Sequence, residues 1–497
     1  MQIASIFFAA TTSLKTYNSI PLAIIAKSLD DALQLNLLKA SIMLNPDFLE
    51  TLSSLFPKDR VYTDPVDCYA YAYDNSRNFH SPIAVVFPLT AEEVQAVIQL
   101  CNQYNVPVVP RGRGTGTAGG SIPEQGGVAM SLERMNKIIS VDPDNRMAII
   151  EPGVLNQELQ DAIKPAGFFW PPDPSSAAYC SIGGNLATCA AGPHAVKYGV
   201  ARDHVLGLKA VTGKGDIIKT GCYTSKGVVG YDLTRLLVGS EGTLAVIVEA
   251  TLKLTPLPKH TGGLTAEFVD TYSCAKAIAA IMAQPYTPSA LEFLDNGALN
   301  LIRSRNKNLL PENAKAYLMI EVDGSQQEIV EATEAILLAC QVPGLIEAKP
   351  AEDTKALWAA RKALSPLLKD IAPKKINEDI AVPVSHLPEL LTGLEKLAAQ
   401  YQISNVNFGH AGNGNIHVNL LVNPDNAEEM KRAYACLDEV FSLVLSLQGT
   451  LSGEHGVGMA KRPFVPREID ATTIELMKAV KLTFDPQNVL NPGKLFP

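Results

Sequence analysis

Three of the eight histidines in this 497-residue chain fall, with one glutamate, in two short glycine-rich segments. These are "FGHAGNGNIHVNLL" (408–421), carrying His410 and His417, and "SGEHGVG" (452–458), carrying Glu454 and His455. His410 sits in a glycine-bracketed turn. From Asn415 to Val422 apolar and polar residues alternate, so Ile416, Val418 and Leu420 share one face of a strand, and His417 and Asn419 share the other. Glu454 and His455 lie between glycines, where a backbone can approach a ligand closely. Two histidines and a carboxylate are a standard set for a divalent transition metal with open positions. Spacing alone equally allows a group of satisfied polar side chains, and both readings stand at this point.

A second chemistry-bearing feature is glycine. The stretch "PRGRGTGTAGG" (110–120) contains GxGxxG at Gly114, Gly116 and Gly119. A dinucleotide fingerprint of that form must open a helix. Here the chain runs into "SIPEQGG" and then another strand-like run, so that reading is weak. The clustered backbone N–H groups still suit an oxyanion such as a pyrophosphate, with a tight structural loop as the alternative. "SIGGNLATCAAG" (181–192) and "VGSEGTLAVI" (238–247) add two more glycine turns. Three such turns in one domain suit a long cofactor lying extended across it. In "LWAARKALSP", Arg361 and Ser365 are four apart and share a helical face; without further context a solvated surface arginine is the simpler reading.

The elements that must position these groups follow from periodicity. Thr90 to Tyr104 reads as a helix with a Thr90/Glu93 capping box. Residues 106–110, 126–132 and 147–153 read as strands, giving an α/β texture up to about 258. From 259 apolar strands such as 316–322 alternate with helical runs at 388–401 and 426–447, a separate α+β domain. The expected organisation is an uncertain extension at 1–42, a cofactor domain at 43–258, a substrate domain at 259–455 and a returning tail at 456–497. A net charge of −9 argues against a nucleic-acid partner. Eight cysteines without a CxxC pair exclude common zinc-ribbon and thioredoxin spacings and point to free thiols in a reducing compartment. The uncharged start of residues 1–14 lacks a preceding basic residue and is interrupted by Lys15 before it reaches membrane-spanning length. A cytoplasmic protein, free or peripheral at the membrane, is the expectation.

The order "VVPRGRGTGTAGG … PPDPSSAAYCSIGGNLATCAAGPHAVKYG … GSEGTLAVI" closely resembles the FAD-binding domain of the vanillyl-alcohol-oxidase/p-cresol-methylhydroxylase flavoproteins. The C-terminal half resembles the FAD-linked oxidase domain of their D-2-hydroxyacid branch, which includes glycolate oxidase FAD-linked subunits and D-lactate dehydrogenases. The resemblance implies an α+β fold: a two-subdomain PCMH-type FAD-binding domain and a cap domain with an antiparallel sheet. It places the FAD pyrophosphate at Arg111, Gly112, Arg113, Gly114, Thr115 and Gly116, with Pro110 as an adjoining cofactor contact. Further cofactor contacts are implied at Gly183, Gly184, Asn185, Thr188, Gly192, Glu241, Gly242, Ile247 and Asn491. Some relatives attach flavin through a loop histidine; Arg113 and no histidine stand here, implying non-covalent FAD.

The same resemblance implies that His410, His417 and Glu454 hold a metal of the Zn, Fe or Mn type, with His455 as base. It implies that Arg361 grips a substrate carboxylate, with Ser365, Lys375 and Asn419 as further substrate contacts. Asn413 departs from the Asp often found in relatives, which weakens an outer hydrogen bond and spares the three ligands. The implied reaction is oxidation of a small 2-hydroxyacid, with an iron–sulfur partner subunit or a quinone as acceptor; a homo-oligomer is compatible with it. Two other classes compete: a metal-dependent hydrolase, which leaves the glycine turns unexplained, and a flavin-binding subunit that has lost activity, which the intact histidine set opposes.

Overall fold

The computed structural model describes residues 46–306, 309–351 and 355–497; the extension expected at 1–42 lies outside them. The helix Pro46–Ser54 belongs to a first unit ending at Asp59, and everything below concerns the second unit, Arg60–Pro497.

The chain first builds a four-stranded sheet in the order Val61–Tyr62, Ala84–Val86, Val128–Ser131, Val108–Arg111. Its last two pairings are parallel, which requires a crossover. The helix Ala91–Tyr104 supplies it. Thr90 caps that helix by accepting the Glu93 N–H at 3.2 Å. The returning half of the expected capping box is displaced by one residue: the Glu93 carboxylate accepts from Leu89 N at 2.7 Å and pairs with Arg60. The strand Val108–Arg111 delivers the chain into the glycine loop, and no helix intervenes before Val128.

A second, five-stranded sheet is antiparallel throughout, in the order Ile138–Asp142, Met147–Ile150, Ala245–Lys253, Val205–Thr212, Ile217–Gly221. The segment expected as a glycine turn at 181–192 instead contains the helix Ile182–Thr188, capped by the Ser181 hydroxyl. Small residues there allow close approach, and Leu186 and Ile182 anchor the helix in the core beneath.

The third sheet has seven antiparallel strands: Leu345–Ala351, His260–Phe268, Ala316–Gly324, Ala290–Leu294, Ser404–His410, Asn415–Val422, Lys374–Ala381. Alternate residues feed opposite faces. Ile416, Val418, Leu420, Leu291 and Phe293 enter a large core with the helices Thr271–Ala283, Leu387–Tyr401 and Ala427–Ser446. Leu294, Phe408 and Leu421 enter a smaller core with the helices Asn296–Arg305 and Lys355–Leu367. The polar face foreseen for Asn415–Val422 therefore exists, but every residue of that strand is buried. Of its polar side chains, His417 lines a cleft, whereas Asn415 and Asn419 are spent on hydrogen bonds inside the sheet.

The tail returns to the first sheet. After the helix Ala471–Phe484, Leu490 bridges Val108 in parallel and Asn491 N donates to Val108 O at 2.8 Å. Among the described residues no helix is long and apolar enough to cross a membrane, and all eight cysteines are free.

Candidate active site

Strand register creates the histidine site. Glu292 lies directly across from His410, and Asp379 directly across from His417. The His410 Nδ1 hydrogen-bonds Glu292, leaving its Nε2 3.4 Å from Glu454 Oε1. The His417 Nδ1 faces Asp379 at 3.6 Å, and its Nε2 lies 3.6 Å from the same Glu454 oxygen. Each imidazole thus has a carboxylate behind it and its free nitrogen turned toward one shared point. Such backing carboxylates orient metal-bound histidines. Two donors each about 2.0–2.1 Å from a tetrahedral ion sit about 3.4 Å apart, close to the spacing of Glu454 Oε1 from each imidazole Nε2. Glu454 Oε2 is buried with no hydrogen-bond partner, consistent with a ligand-ready carboxylate.

Asp379 and His455 also bring ligand-capable atoms within 4.8 Å of those of His417 and Glu454. Asp379 is already committed: it accepts the backbone N–H groups of Glu454 at 2.7 Å and His455 at 2.9 Å, and the Asn415 amide at 2.6 Å. Its place is therefore to fix the "SGEHG" turn against the sheet. The His455 ring stacks on His417 with centroids 5.3 Å apart.

Electrostatics follow from burial and pairing. Burial alone would neutralise Glu292, but His410 and Arg361 hold its carboxyl down at about 2. Burial disfavours the His410 cation, yet Glu292 and Glu454 overcome this and raise it to about 10. His417 is dominated by burial and falls to about 3. A ligand imidazole must be neutral: His417 meets this as it stands, whereas His410 holds a proton between Glu292 and Glu454 that a bound metal would displace.

Arg361 is buried rather than solvated. Its Nε and Nη2 both reach Glu292 Oε2 at 2.7 Å, and its guanidinium lies 4.6 Å over the Phe408 ring. Trp358, Arg361, Lys362 and Ser365 form the face of the helix Lys355–Leu367 that lines a cleft together with His410, His417, Glu454 and His455. Lys375 lines it too, donating to Ser365 Oγ at 2.6 Å. Burial, then the charges of Lys369 and Arg77, lower its ammonium to about 8.

The opposite wall of this cleft is the glycine loop. Pro110, Gly112, Arg113, Gly114, Thr115 and Gly116 line it, as do Gly184, Asn185, Thr188 and Glu241. An adjoining cavity continues past Arg111, Gly183, Gly242 and Ile247. A Cβ at Gly112 would stand 2.4 Å from Ser181 Oγ, whereas one at Gly116 would meet nothing within 4 Å. The wall is thus bare backbone facing open space, a fit for the pyrophosphate and ring system of an extended FAD.

Three expected contacts do not line either cavity. Gly192 packs against Asp173. Asn419 is fully buried, with its amide spent on Val406 O at 3.0 Å and Asn377 at 2.8 Å. Asn491 holds Gly120 O and Glu241 O, both at 2.8 Å, and so shapes the cofactor wall from behind. Conversely, Glu292 and Asp379 were not foreseen. The available signal was acidic residues against apolar strand residues, one in "ALEFL" and two in "EDIAV".

Comparison with known proteins agrees with this architecture. Residues 82–221 match the FAD binding domain family, and residues 257–495 match the FAD linked oxidases, C-terminal domain family. The chain belongs to the FAD-linked oxidases, and is an FAD-binding oxidoreductase. It is 40% identical over 430 residues to the glycolate oxidase subunit GlcD of Bacillus subtilis, covering 86% of this chain and 92% of that one. It is 33% identical to the D-lactate dehydrogenase of Anaerostipes hadrus, covering 90% and 97%. Its fold is that of p-cresol methylhydroxylase, with TM-score 0.74 at 18% identity over 90% of this chain and 96% of that one.

Proposed function

We propose that the chain oxidises a small D-2-hydroxyacid of the glycolate or D-lactate class to the 2-oxoacid, using non-covalent FAD and a divalent transition metal. One observation carries the reading. The His410, His417 and Glu454 donors converge on a point in the same cleft whose other wall is the bare glycine loop. Among similar proteins, one is named a glycolate oxidase subunit, one a D-lactate dehydrogenase and one a D-2-hydroxyglutarate dehydrogenase.

In this reading Arg361 and Lys375 bind the substrate carboxylate from the helix and sheet side of the cleft. Glu292 holds the Arg361 guanidinium in place on the Phe408 ring. His455 accepts the hydroxyl proton as the Cα hydride leaves. Asp379 fixes both the His455 backbone and the orientation of His417. FAD, when bound, takes the hydride. A divalent metal held by His410, His417 and Glu454, when bound, polarises the substrate oxygens and makes the hydroxyl more acidic. The eight scattered cysteines offer no iron–sulfur ligand pattern. Electrons therefore pass to an acceptor outside the chain, an iron–sulfur partner subunit or a quinone.

Anaerobic titration of the purified holoprotein with glycolate, D-lactate, L-lactate and D-2-hydroxyglutarate tests the reading. A D-2-hydroxyacid or glycolate should bleach the flavin absorbance, with the 2-oxoacid formed in equal amount. Flavin that none of these acids bleaches, but dithionite does, contradicts it.

A further inference from the structure

Asp74 lies in "YAYDNSRN", outside both stretches that match the flavin families. It is only 4% exposed, yet it lines the cofactor cleft beside Asn75. One carboxylate oxygen, Oδ1, accepts the Ser76 N–H at 2.8 Å and closes a tight turn, completed by Arg77 N donating to Asp74 O at 3.1 Å. The other oxygen, Oδ2, is buried with no donor at hydrogen-bond geometry; the Ser121 N–H acts on the carboxyl only from longer range. Burial raises the pKa of this carboxyl, against the pull of the Ser76 hydrogen bonds, the Arg111 charge and the Ser121 N–H. A buried carboxylate oxygen without a donor carries an uncompensated desolvation cost, and a ligand donor in the cleft would remove it.

The position of the turn selects which part of the cofactor supplies that donor. On one side Asp74 feels the charge of Arg111, the side chain over which the glycine loop closes: a Cβ on Gly114 would stand 2.1 Å from its Nη2. On the other side Asn75 lines the same cleft as Lys375 and Ser365, which are hydrogen-bonded to each other on the substrate wall. The 74–77 turn thus sits where the cofactor wall meets the substrate wall. The part of FAD that must lie beside the substrate is its isoalloxazine ring, and that ring carries one N–H donor in its oxidised form, on the pyrimidine edge.

We infer that Asp74 is a flavin-binding residue whose free carboxylate oxygen accepts the isoalloxazine ring N–H. Two effects follow. The hydrogen bond contributes to FAD affinity. The negative charge also disfavours the anionic reduced ring, so Asp74 holds the flavin potential lower than the cleft would otherwise set it, with Arg111 as partial counter-charge. The inference rests on FAD occupying this cleft and is independent of which hydroxyacid is oxidised.

The test is Asp74→Asn, which keeps the Oδ1 acceptor for Ser76 and so keeps the turn. Full-length apoprotein is titrated with FAD by fluorescence quenching, and the midpoint potential of the bound flavin is measured against reference dyes. The variant should bind FAD roughly tenfold or more weakly and shift the potential upward. Asp74→Glu, which restores the charge, should return the potential toward the wild-type value. Wild-type affinity and potential in Asp74→Asn overturn the inference, as does weaker binding with no change of potential in either variant, which marks a structural role only. A wild-type chain that binds no FAD removes the cofactor assignment itself, a separate failure.

Discussion

The glycine wall of the cleft presents backbone, with left-handed turns at Gly114, Glu241 and Gly242, whereas the wall facing it presents three histidines, an arginine and two lysines. The two walls also differ in how far apart in sequence their parts lie. The glycine wall is assembled from three short runs, 110–116, 183–188 and 241–247, each recognisable by its own local composition. The histidine wall draws Glu292 from one strand, His410 and His417 from two others, Asp379 from a fourth and Glu454 from the tail-side turn. A backbone wall can bind a large cofactor with few side chains. A side-chain wall must be positioned by sheet register, because each imidazole needs its own carboxylate behind it.

Substitutions separate the two walls. The largest effect should come from His455→Asn on the side-chain wall. Losing a general base lowers the rate of flavin reduction at saturating substrate by roughly 10²–10⁴-fold, with FAD content unchanged. Stopped-flow absorbance reads this directly, and a reduction rate within a few-fold of wild type removes His455 from the chemistry.

Gly114→Ala should act on the backbone wall instead. The left-handed φ of +66° and the 2.1 Å approach to Arg111 both oppose a Cβ, and the φ penalty alone is about 1–2 kcal/mol. FAD affinity should fall about tenfold in a fluorescence titration. Fully loaded variant should still be reduced by substrate at near the wild-type rate, since the histidine wall is untouched. Equal loss of both properties would mean the walls are not separable.

The smallest effect concerns pH. Lys375 is lowered to about 8, first by burial and then by Lys369 and Arg77. It carries its charge below that pH and loses it above. Substrate KM should therefore climb several-fold as pH rises through about 8 to 9, and the climb should be absent in Lys375→Met. A Lys375→Met enzyme with the same pH profile assigns the dependence elsewhere.

Legibility in the sequence followed the same division. The alternation of Ile416, Val418 and Leu420 told which face His417 would take, and the strand obeys it. The glycine loop was readable because its composition is local. Glu292 and Asp379 were not readable, since only register makes them neighbours of His410 and His417, from 118 and 38 positions away in the chain. Asn419 shows the converse limit. It shares a strand face with His417, but its amide is taken by Val406 O and by Asn377, and it is Asn377 that lines the cleft there. At 181–192, glycine content suggested a turn, but Ser181 as N-cap and the buried Ile182 and Leu186 made a helix.

The measurement that bears most directly on the side-chain wall is metal content read alongside flavin reduction. Purified wild-type protein should carry about one divalent transition metal per chain. Chelation, or His417→Ala, should remove it and suppress anaerobic flavin reduction by a 2-hydroxyacid, while FAD content and reduction by dithionite stay normal. Re-adding the metal should restore the wild-type protein but not His417→Ala. Metal-free protein that is reduced by the hydroxyacid at the full rate would contradict the convergence of His410, His417 and Glu454 on a metal.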